Sequence, residues 1–183
     1  MKNILLMFTL ILLSSCSSIN TENKNMLEVL ESQKIEANAT FSKFIKENYL
    51  SWMEERNQQK PLLSPQVMKK KVFPFIKEKK PLFFIVIDNF RLDQWEDIES
   101  LVTPYFNLKE KDTYYSTLPT TTAFARNALF SGMMPMDMAR FYPNFWEDED
   151  SEEGKNNFEE EWIKINLEKN RLPIKFSYNK IIQ

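Results

Sequence analysis

The chain has 183 residues and a formal net charge of −2, with two glycines, one cysteine and no histidine. This length suits one domain with appended segments, and the near-neutral charge provides no general attraction to nucleic acid, so any phosphate recognition has to be local. Two glycines are too few for a glycine-rich phosphate loop or a dinucleotide-binding fingerprint, and one cysteine excludes an intrachain disulfide and a zinc site built from thiolates.

The N-terminus has the pattern of a processing signal. A basic start is followed by the apolar run Ile4–Leu13, which is too short to span a bilayer comfortably. Small residues then precede Cys16, a pattern that resembles a bacterial lipobox. We therefore expect a lipoprotein-type signal peptide over residues 1–15, lipidation of Cys16 and a polar tether over 16–25, which would anchor the protein in a membrane of the cell envelope. An uncleaved signal peptide or a chance pattern is the alternative, and a leader that is an artefact of the gene model would leave the protein in the cytoplasm.

Residues 26–60 are predicted to form a helical arm. Apolar residues recur at helical spacing over residues 26–53, with Lys and Glu at most other positions, so a helix should span that stretch. Its apolar stripe should pack on the domain or on a partner helix. A polar break with two prolines ends the arm, and Ser64 is expected to cap a short helix over residues 65–75.

The remainder of the chain, residues 61–183, alternates between predicted strands and helices. The first predicted strand, Leu82–Ile87, is apolar throughout and is therefore expected to be buried on both faces. Helices are predicted between the strands, one opened by a capping box at Asp93 and Glu96 and one ended by Gly132. In chain order, the other predicted elements are a strand at Thr113–Leu118, helices at Thr122–Ser131, Pro135–Arg140 and Phe158–Asn170, and a strand at Pro173–Tyr178.

This order implies an α/β fold with a parallel sheet and right-handed crossovers. The acidic stretch from Glu147 to Asn157 is predicted to be a flexible loop. A sheet of so few strands buries two faces poorly, so we expect the chain to be the front part of a larger parallel-sheet domain that follows the helical arm.

Two predicted strands end in side chains suited to phosphoryl chemistry. Asp88 follows the first strand, and Thr120, Thr121 and Thr122 follow the second at the start of a helix. The carboxyl ends of parallel strands share one crevice, so Asp88 and the threonines should lie close together. A carboxylate suits a divalent metal, a threonine hydroxyl becomes a nucleophile when a metal or base removes its proton, and a helix N-terminus favours an incoming phosphate. In the simpler alternative, Thr122 is only an N-cap and Asp88 only part of a turn.

Two longer stretches resemble a known family. They are Ile85–Trp95, with the sequence IVIDNFRLDQW, and Leu118–Pro135, with the sequence LPTTTAFARNALFSGMMP. Both resemble the PglZ-type domain of the alkaline phosphatase superfamily, and in particular the PglZ portion of PorX-type two-component response regulators of Bacteroidetes, which control secretion. The resemblance extends over about residues 26–183. It implies that residues 61–183 are the N-terminal part of an alkaline-phosphatase-like domain.

The resemblance also implies a chemistry. The superfamily uses a centre of two metal ions, usually zinc, to hydrolyse phosphate esters, including nucleotide-like ones, through a Thr or Ser nucleophile. Carried over to this chain, it makes Thr122 the preferred nucleophile and a metal ligand, with Thr120 as the alternative nucleophile and Asp88 as the other ligand. Arg126 would contact a substrate phosphate or pair with a carboxylate, and we favour the pairing.

The chain departs from the family in two respects. The family's remaining ligands are Asp and His residues from later segments, so Asp88 and Thr122 alone would leave most of a two-metal shell empty, and tight zinc binding is not expected. PorX-type proteins also begin with a receiver domain, where this chain has a lipoprotein-type leader. Two hypotheses follow: a metal-dependent phosphodiesterase or phosphatase domain that is incomplete as written, and a non-catalytic membrane-tethered remnant or interaction module. A PorX-like origin would permit a homodimer through the helix over residues 26–53.

Overall fold

The structure is a computed structural model that describes residues 4–6, 24–54, 60–78, 81–146 and 157–181. It forms two compact units, one of residues 14–61 and the other of residues 1–13 with 62–183. Cys16 and most of the acidic loop predicted from Glu147 lie outside the described residues. No helix in the described part of the chain is long and apolar enough to cross a lipid bilayer.

The unit of residues 14–61 contains one long helix, α1 (Lys24–Met53), which confirms the helix predicted for the arm. The helix contains neither glycine nor proline, which favours a long uninterrupted span. Much of its apolar stripe is exposed: Met26, Leu30 and Phe44 are 51%, 37% and 40% accessible to solvent. Near the C-terminal end the Phe44 and Trp52 rings pack against each other at a centroid distance of 5.6 Å.

The other unit contains a sheet of two short strands among its described residues. β1 (Ile4–Leu6) pairs in parallel with β2 (Phe83–Ile85). The prediction that this stretch is buried on both faces is wrong, because Phe83 and Ile85 are 51% and 39% exposed while Phe84 packs against the core. Phe83 and Ile85 are thus on the exposed face of β2, and Phe84 on the other face contributes to the core.

The other two predicted strands do not form. Residues 113–118 are extended, but their only ladder contact among the described residues is one isolated parallel bridge between Leu63 and Tyr115. The Tyr115 N–H donates to the Leu62 carbonyl at 2.8 Å. Residues 173–178 are irregular. The predicted three-stranded parallel sheet is therefore not found in the described part of the chain. A pattern of side chains can predict extended backbone, but it does not specify which other segment will pair with it, and a sheet requires such a partner.

A continuous helical segment follows the bridge at Leu63. It begins as α2 (Ser64–Val67), widens into a π-helical turn (Met68–Val72) and ends as α3 (Phe73–Lys77). Ser64 does not cap it, because Leu63 occupies the N-cap position and donates its N–H to Oε1 of Gln66 at 2.8 Å. The Ser64 hydroxyl instead accepts the N–H of Thr117 at 3.0 Å and thereby ties the extended segment to this helix.

Among the described residues after β2 there are four further α-helices, and three of them agree closely with the sequence prediction. The capping box predicted at Asp93 and Glu96 is wrong, because the N-cap of α4 is Arg91, which donates its N–H to Oε1 of Gln94 at 3.0 Å. Gly132 ends its helix in the left-handed conformation, with φ of 65°. The helices are α4 (Leu92–Val102), α5 (Thr122–Ser131), α6 (Pro135–Phe141) and α7 (Glu159–Lys169), with a 3₁₀ turn at Pro143–Phe145 between α6 and α7.

The core of this unit lies where the π-helical turn, α5, α6 and α7 meet. Its most buried large side chains include Val67, Met138 and Trp162, all at most 1% exposed. The Trp162 ring contacts Tyr142 and Phe145 edge-on, at centroid distances of 5.9 Å each. Burial of these large apolar surfaces is the main force that fixes α5 against α7, and this packing positions the site described next.

Candidate functional site

Asp88 lies in the turn that follows β2. Its Oδ1 accepts the backbone N–H of Asn89 at 3.1 Å. Asn89 has a φ of 57°, a left-handed conformation that asparagine tolerates better than most residues. The carboxylate is therefore oriented by its own turn, with Oδ2 directed at α5.

Thr122 is the first residue of α5, and its hydroxyl donates to Oδ2 of Asp88 across 3.5 Å. The structure thus brings together the two residues that the strand-end argument places side by side. Thr121 occupies the N-cap position, so the alternative in which Thr122 is the N-cap is wrong. Thr120 lies before the helix and is exposed.

Arg126 stands one helical turn beyond Thr122, on the same face of α5. Its Nη1 lies 2.8 Å from Oδ2 of Asp88, and its Nε contacts Oε1 of Glu159. The guanidinium therefore joins two carboxylates, which agrees with the pairing that we favour from the sequence. The Arg126 side chain is 16% exposed, so this ion-pair network is partly shielded from water.

Glu159 is a site residue that the sequence did not reveal. It is the first residue of α7, where a negative charge interacts favourably with the helix dipole, yet its side chain is only 3% exposed. Besides Arg126, the carboxylate is contacted at Oε2 by the Tyr178 hydroxyl and by Nζ of Lys180 at 3.4 Å. In the sequence it is one of three consecutive glutamates, and no local signal separates the buried Glu159 from the exposed Glu160 and the half-buried Glu161.

The pKa of Tyr178 is raised above its ordinary value of 10.0, first by burial and then by its hydrogen bond to Glu159 and the charge of that carboxylate. The phenol therefore remains a hydrogen-bond donor to Glu159 well into the alkaline range. Together, Tyr178, Arg126 and Lys180 compensate a carboxylate that would otherwise be buried at high cost.

The donor set at this site does not fit a metal centre by itself. Within the described ranges, no three Asp, Glu, His or Cys side chains come close enough together to hold a metal ion. Both oxygens of Asp88 already accept hydrogen bonds, and Oδ2 faces the Arg126 cation. Asp88 and Thr122 supply at most two ligands of the four or more that zinc or a second divalent ion requires.

Comparisons with known proteins connect this geometry to a family. The model of the BREX system PglZ alkaline phosphatase-like domain matches residues 67–183, a range that includes Asp88, Thr122, Arg126 and Glu159. The model of the PorX response regulator linker domain matches residues 16–53, which include α1. No curated protein matches the chain. Alkaline phosphatase-like proteins generally use metal ions. Since the first match covers more than half of the chain, the protein belongs to the PglZ alkaline phosphatase-like family, and a PorX-type linker precedes its PglZ domain.

Proposed function

We propose that this PglZ domain presents the nucleophile side of a site that hydrolyses phosphoric esters, with Thr122 as the attacking residue. The observation that carries the proposal is the hydrogen bond between the Thr122 hydroxyl and Asp88 at the N-terminus of α5. An alcohol needs an acceptor for its proton before it can attack, and Asp88 stands in that position. The first turn of α5 adds backbone N–H groups and a favourable dipole for the phosphate.

In this mechanism the Thr122 Oγ1 attacks phosphorus of a phosphate mono- or diester and displaces the alcohol. A P–O bond forms to Thr122, the P–O bond to the leaving group breaks, and the proton of the hydroxyl passes to its acceptor. Water then hydrolyses the phosphothreonine and restores the free hydroxyl. Arg126 lies within reach of this phosphate only if it gives up part of its contact with Asp88.

Zinc is the ion that the family resemblance suggests, with Asp88 and Thr122 as two of its ligands. Such an ion would supply Lewis-acid activation of the phosphate and of the hydroxyl. Because the described residues do not complete a metal centre, no step of the mechanism is assigned to the ion.

The test measures zinc content and hydrolysis of a chromogenic phosphodiester by the full chain with added Zn²⁺. We expect turnover that falls at least about 100-fold in Thr122→Ala, since a nucleophile has no substitute at its position. Thr121→Ala is the matched control, because it removes the neighbouring hydroxyl, which makes no capping hydrogen bond. Thr120→Ala tests the alternative nucleophile. Wild-type activity in Thr122→Ala would exclude Thr122 from this role.

A second candidate is a non-catalytic interaction module. It is favoured by the Arg126–Asp88 ion pair, which neutralises the carboxylate that catalysis would use. Absence of both bound zinc and turnover in the wild-type chain would establish this function in place of the first.

We also propose that the domain is anchored to an envelope membrane through lipidated Cys16 and that α1 pairs with a second copy of the chain. The PorX linker match begins at residue 16, which supports a boundary between the apolar leader and the rest of the protein. The exposed apolar stripe on α1 supports a helical partner.

A further inference from the structure

We propose that Arg126 serves as an internal counter-cation for Asp88, so that a divalent metal can bind Asp88 only after this ion pair opens. The inference rests on the proposed function in one respect, the role of Asp88 as a metal ligand. It explains why a chain of a metal-using family presents a carboxylate already occupied by a positive side chain.

The guanidinium already pairs with the carboxylate that a metal would use. Oδ2 of Asp88 is 2.8 Å from Nη1 of Arg126 and also accepts the Thr122 hydroxyl, and Oδ1 accepts the N–H of Asn89. A metal held by Asp88 and Thr122 would have to compete with the guanidinium for this carboxylate, because two cations beside one carboxylate repel each other strongly.

The other end of Arg126 keeps it in this position. Glu159 is 3% exposed and accepts contacts from Arg126, Tyr178 and Lys180, whereas Asp88 is 47% exposed. Removal of Arg126 from the buried Glu159 would leave a carboxylate short of positive charge, which is costly, while the pair with Asp88 faces water. The Asp88 contact is therefore the one that opens, and Glu159 is a positioning residue that holds Arg126 beside it.

The experiment measures Zn²⁺ binding to the full chain by competition with a chromogenic chelator, with no phosphoester present. Arg126→Gln keeps a polar side chain near Glu159 but removes the competing cation. We expect it to bind Zn²⁺ at least about tenfold more tightly than the wild-type chain. Arg140→Gln is the matched control, because it removes an arginine that stacks on Phe141 away from Asp88, and its affinity should equal that of the wild type.

A second substitution assigns the gain to Asp88. The double variant Asp88→Asn with Arg126→Gln should return to the weak binding of the wild type. Equal affinity in Arg126→Gln and the wild type, or a gain that persists in the double variant, would overturn the proposal.

One further measurement tests the proposal without any substitution of Arg126. Asp88→Asn in the otherwise unchanged chain alters a half-exposed side chain, and circular dichroism verifies its fold. If Arg126 already blocks Asp88, this variant binds Zn²⁺ as weakly as the wild type. A tenfold loss would show instead that Asp88 is an open ligand. Because these assays follow metal binding alone, their result is separate from the dependence of hydrolysis on Thr122.

Discussion

Glu159 shows how a single buried charge organises this site. A carboxylate that is 3% exposed is stable only when its partners replace the lost hydration, and here Arg126, Tyr178 and Lys180 do so. Two of these partners come from the irregular segment that follows α7, so that segment is joined to α5 through one carboxylate. The position of Arg126, and with it the electrostatics around Asp88, therefore depends on Glu159.

Tyr178→Phe should lower stability by an amount that depends on pH. Loss of the hydrogen bond to Glu159 should reduce the free energy of unfolding by about 2 kcal/mol near neutral pH. The folded-state pKa of Tyr178 is raised above its ordinary value of 10.0, so this contribution is fully present below about pH 10 and declines as the pH rises further. Denaturant unfolding of the wild type and of Tyr178→Phe from pH 7 to 11 measures this pH dependence. Tyr105→Phe is the control, because it removes the hydroxyl of a tyrosine that is 80% exposed. A difference between wild type and Tyr178→Phe that stays constant up to pH 11 would contradict the linkage.

Gly132→Ala should destabilise the fold for two reasons. The residue has a φ of 65°, which costs an alanine roughly 1–2 kcal/mol, and the added Cβ would lie 2.8 Å from Oδ1 of Asn166. Asn166 cannot easily move away, because it donates to the Phe130 carbonyl at 2.8 Å. We expect a loss of about 2 kcal/mol in denaturant unfolding.

Ser100→Ala, on the exposed surface of α4, is the control for this substitution and should change stability by less than about 0.5 kcal/mol. Equal unfolding midpoints for Gly132→Ala and Ser100→Ala would show that neither the backbone conformation nor the contact with Asn166 constrains position 132.

At the scale of elements, the extended segment before α5 is held by side-chain and backbone contacts rather than by a sheet. The Ser64 hydroxyl and the Leu62 carbonyl accept N–H groups of Thr117 and Tyr115. These two hydrogen bonds fix the chain shortly before the threonines, so they set where α5 begins. The segment therefore forms hydrogen bonds to a neighbouring segment, as a strand does, although it is not part of a sheet.

Ser64→Ala removes the acceptor of this connection. Ser64 and Thr117 are each 1% exposed, so the Thr117 N–H would be left buried without its partner at a cost of about 2 kcal/mol. Ser116→Ala is a close control, because the Ser116 hydroxyl makes only a long contact of 3.5 Å with the Thr117 carbonyl. In guanidinium unfolding, Ser64→Ala should have a lower midpoint than Ser116→Ala. Similar midpoints for the two variants would mean that the Ser64 hydrogen bond makes no net contribution to the free energy of unfolding.

The second prediction at this scale concerns α1. Leu30 and Phe44 lie on its apolar stripe and are 37% and 40% exposed, so burial between two copies of the helix would remove that surface from water. We expect sedimentation velocity to show a dimer, and Leu30→Asp with Phe44→Asp to convert it to a monomer.

Ile35→Asp is the control for the helix pairing. Ile35 is 70% exposed and lies on the opposite side of α1 from the stripe, so the same change of chemistry there should leave the dimer intact. A monomeric wild-type chain, or equal dissociation by substitutions on either side, would contradict pairing through the stripe.

At the scale of the whole molecule, the proposed cleavage of residues 1–15 as a leader would change the fold. The backbone of Ile4–Leu6 pairs with β2, and cleavage before Cys16 would remove this strand from the mature protein. β2 would then keep its core contacts through Phe84 but lose a parallel neighbour. A protein anchored by lipidated Cys16 and one that retains its leader therefore differ in the sheet as well as in location.

Cys16→Ser discriminates between these states in cells. If the thiol is lipidated, labelled fatty acid should be incorporated into the wild-type chain and not into the variant, and the variant should leave the membrane fraction. Ser18→Ala, which changes a neighbouring position in the predicted tether, should behave like the wild type. Identical fractionation of Cys16→Ser and the wild type would exclude a lipid anchor at this residue.

Several elements could be predicted because their signals are local. The limits of α5 follow from the threonine cluster and Gly132, and the length of α1 follows from its helical pattern without glycine or proline. The proximity of Asp88 and Thr122 was also predicted, since each stands at the end of an extended segment. The sequence pattern also predicts a three-stranded parallel sheet, which is not found in the described part of the chain, because extended segments can pair with a sheet, with a single residue such as Leu63, or with no strand.

The amino-acid sequence alone determined the family, the long helix and the two residues proposed for the chemistry, because each depends on residues that are neighbours in the chain. Only the tertiary structure decided that Arg126 pairs with both Asp88 and Glu159 and that one face of β2 is exposed. Burial and ion pairing across distant segments depend on how α5 packs against α7. No local pattern encodes that packing, so the ion pairs of the site became visible only in the fold.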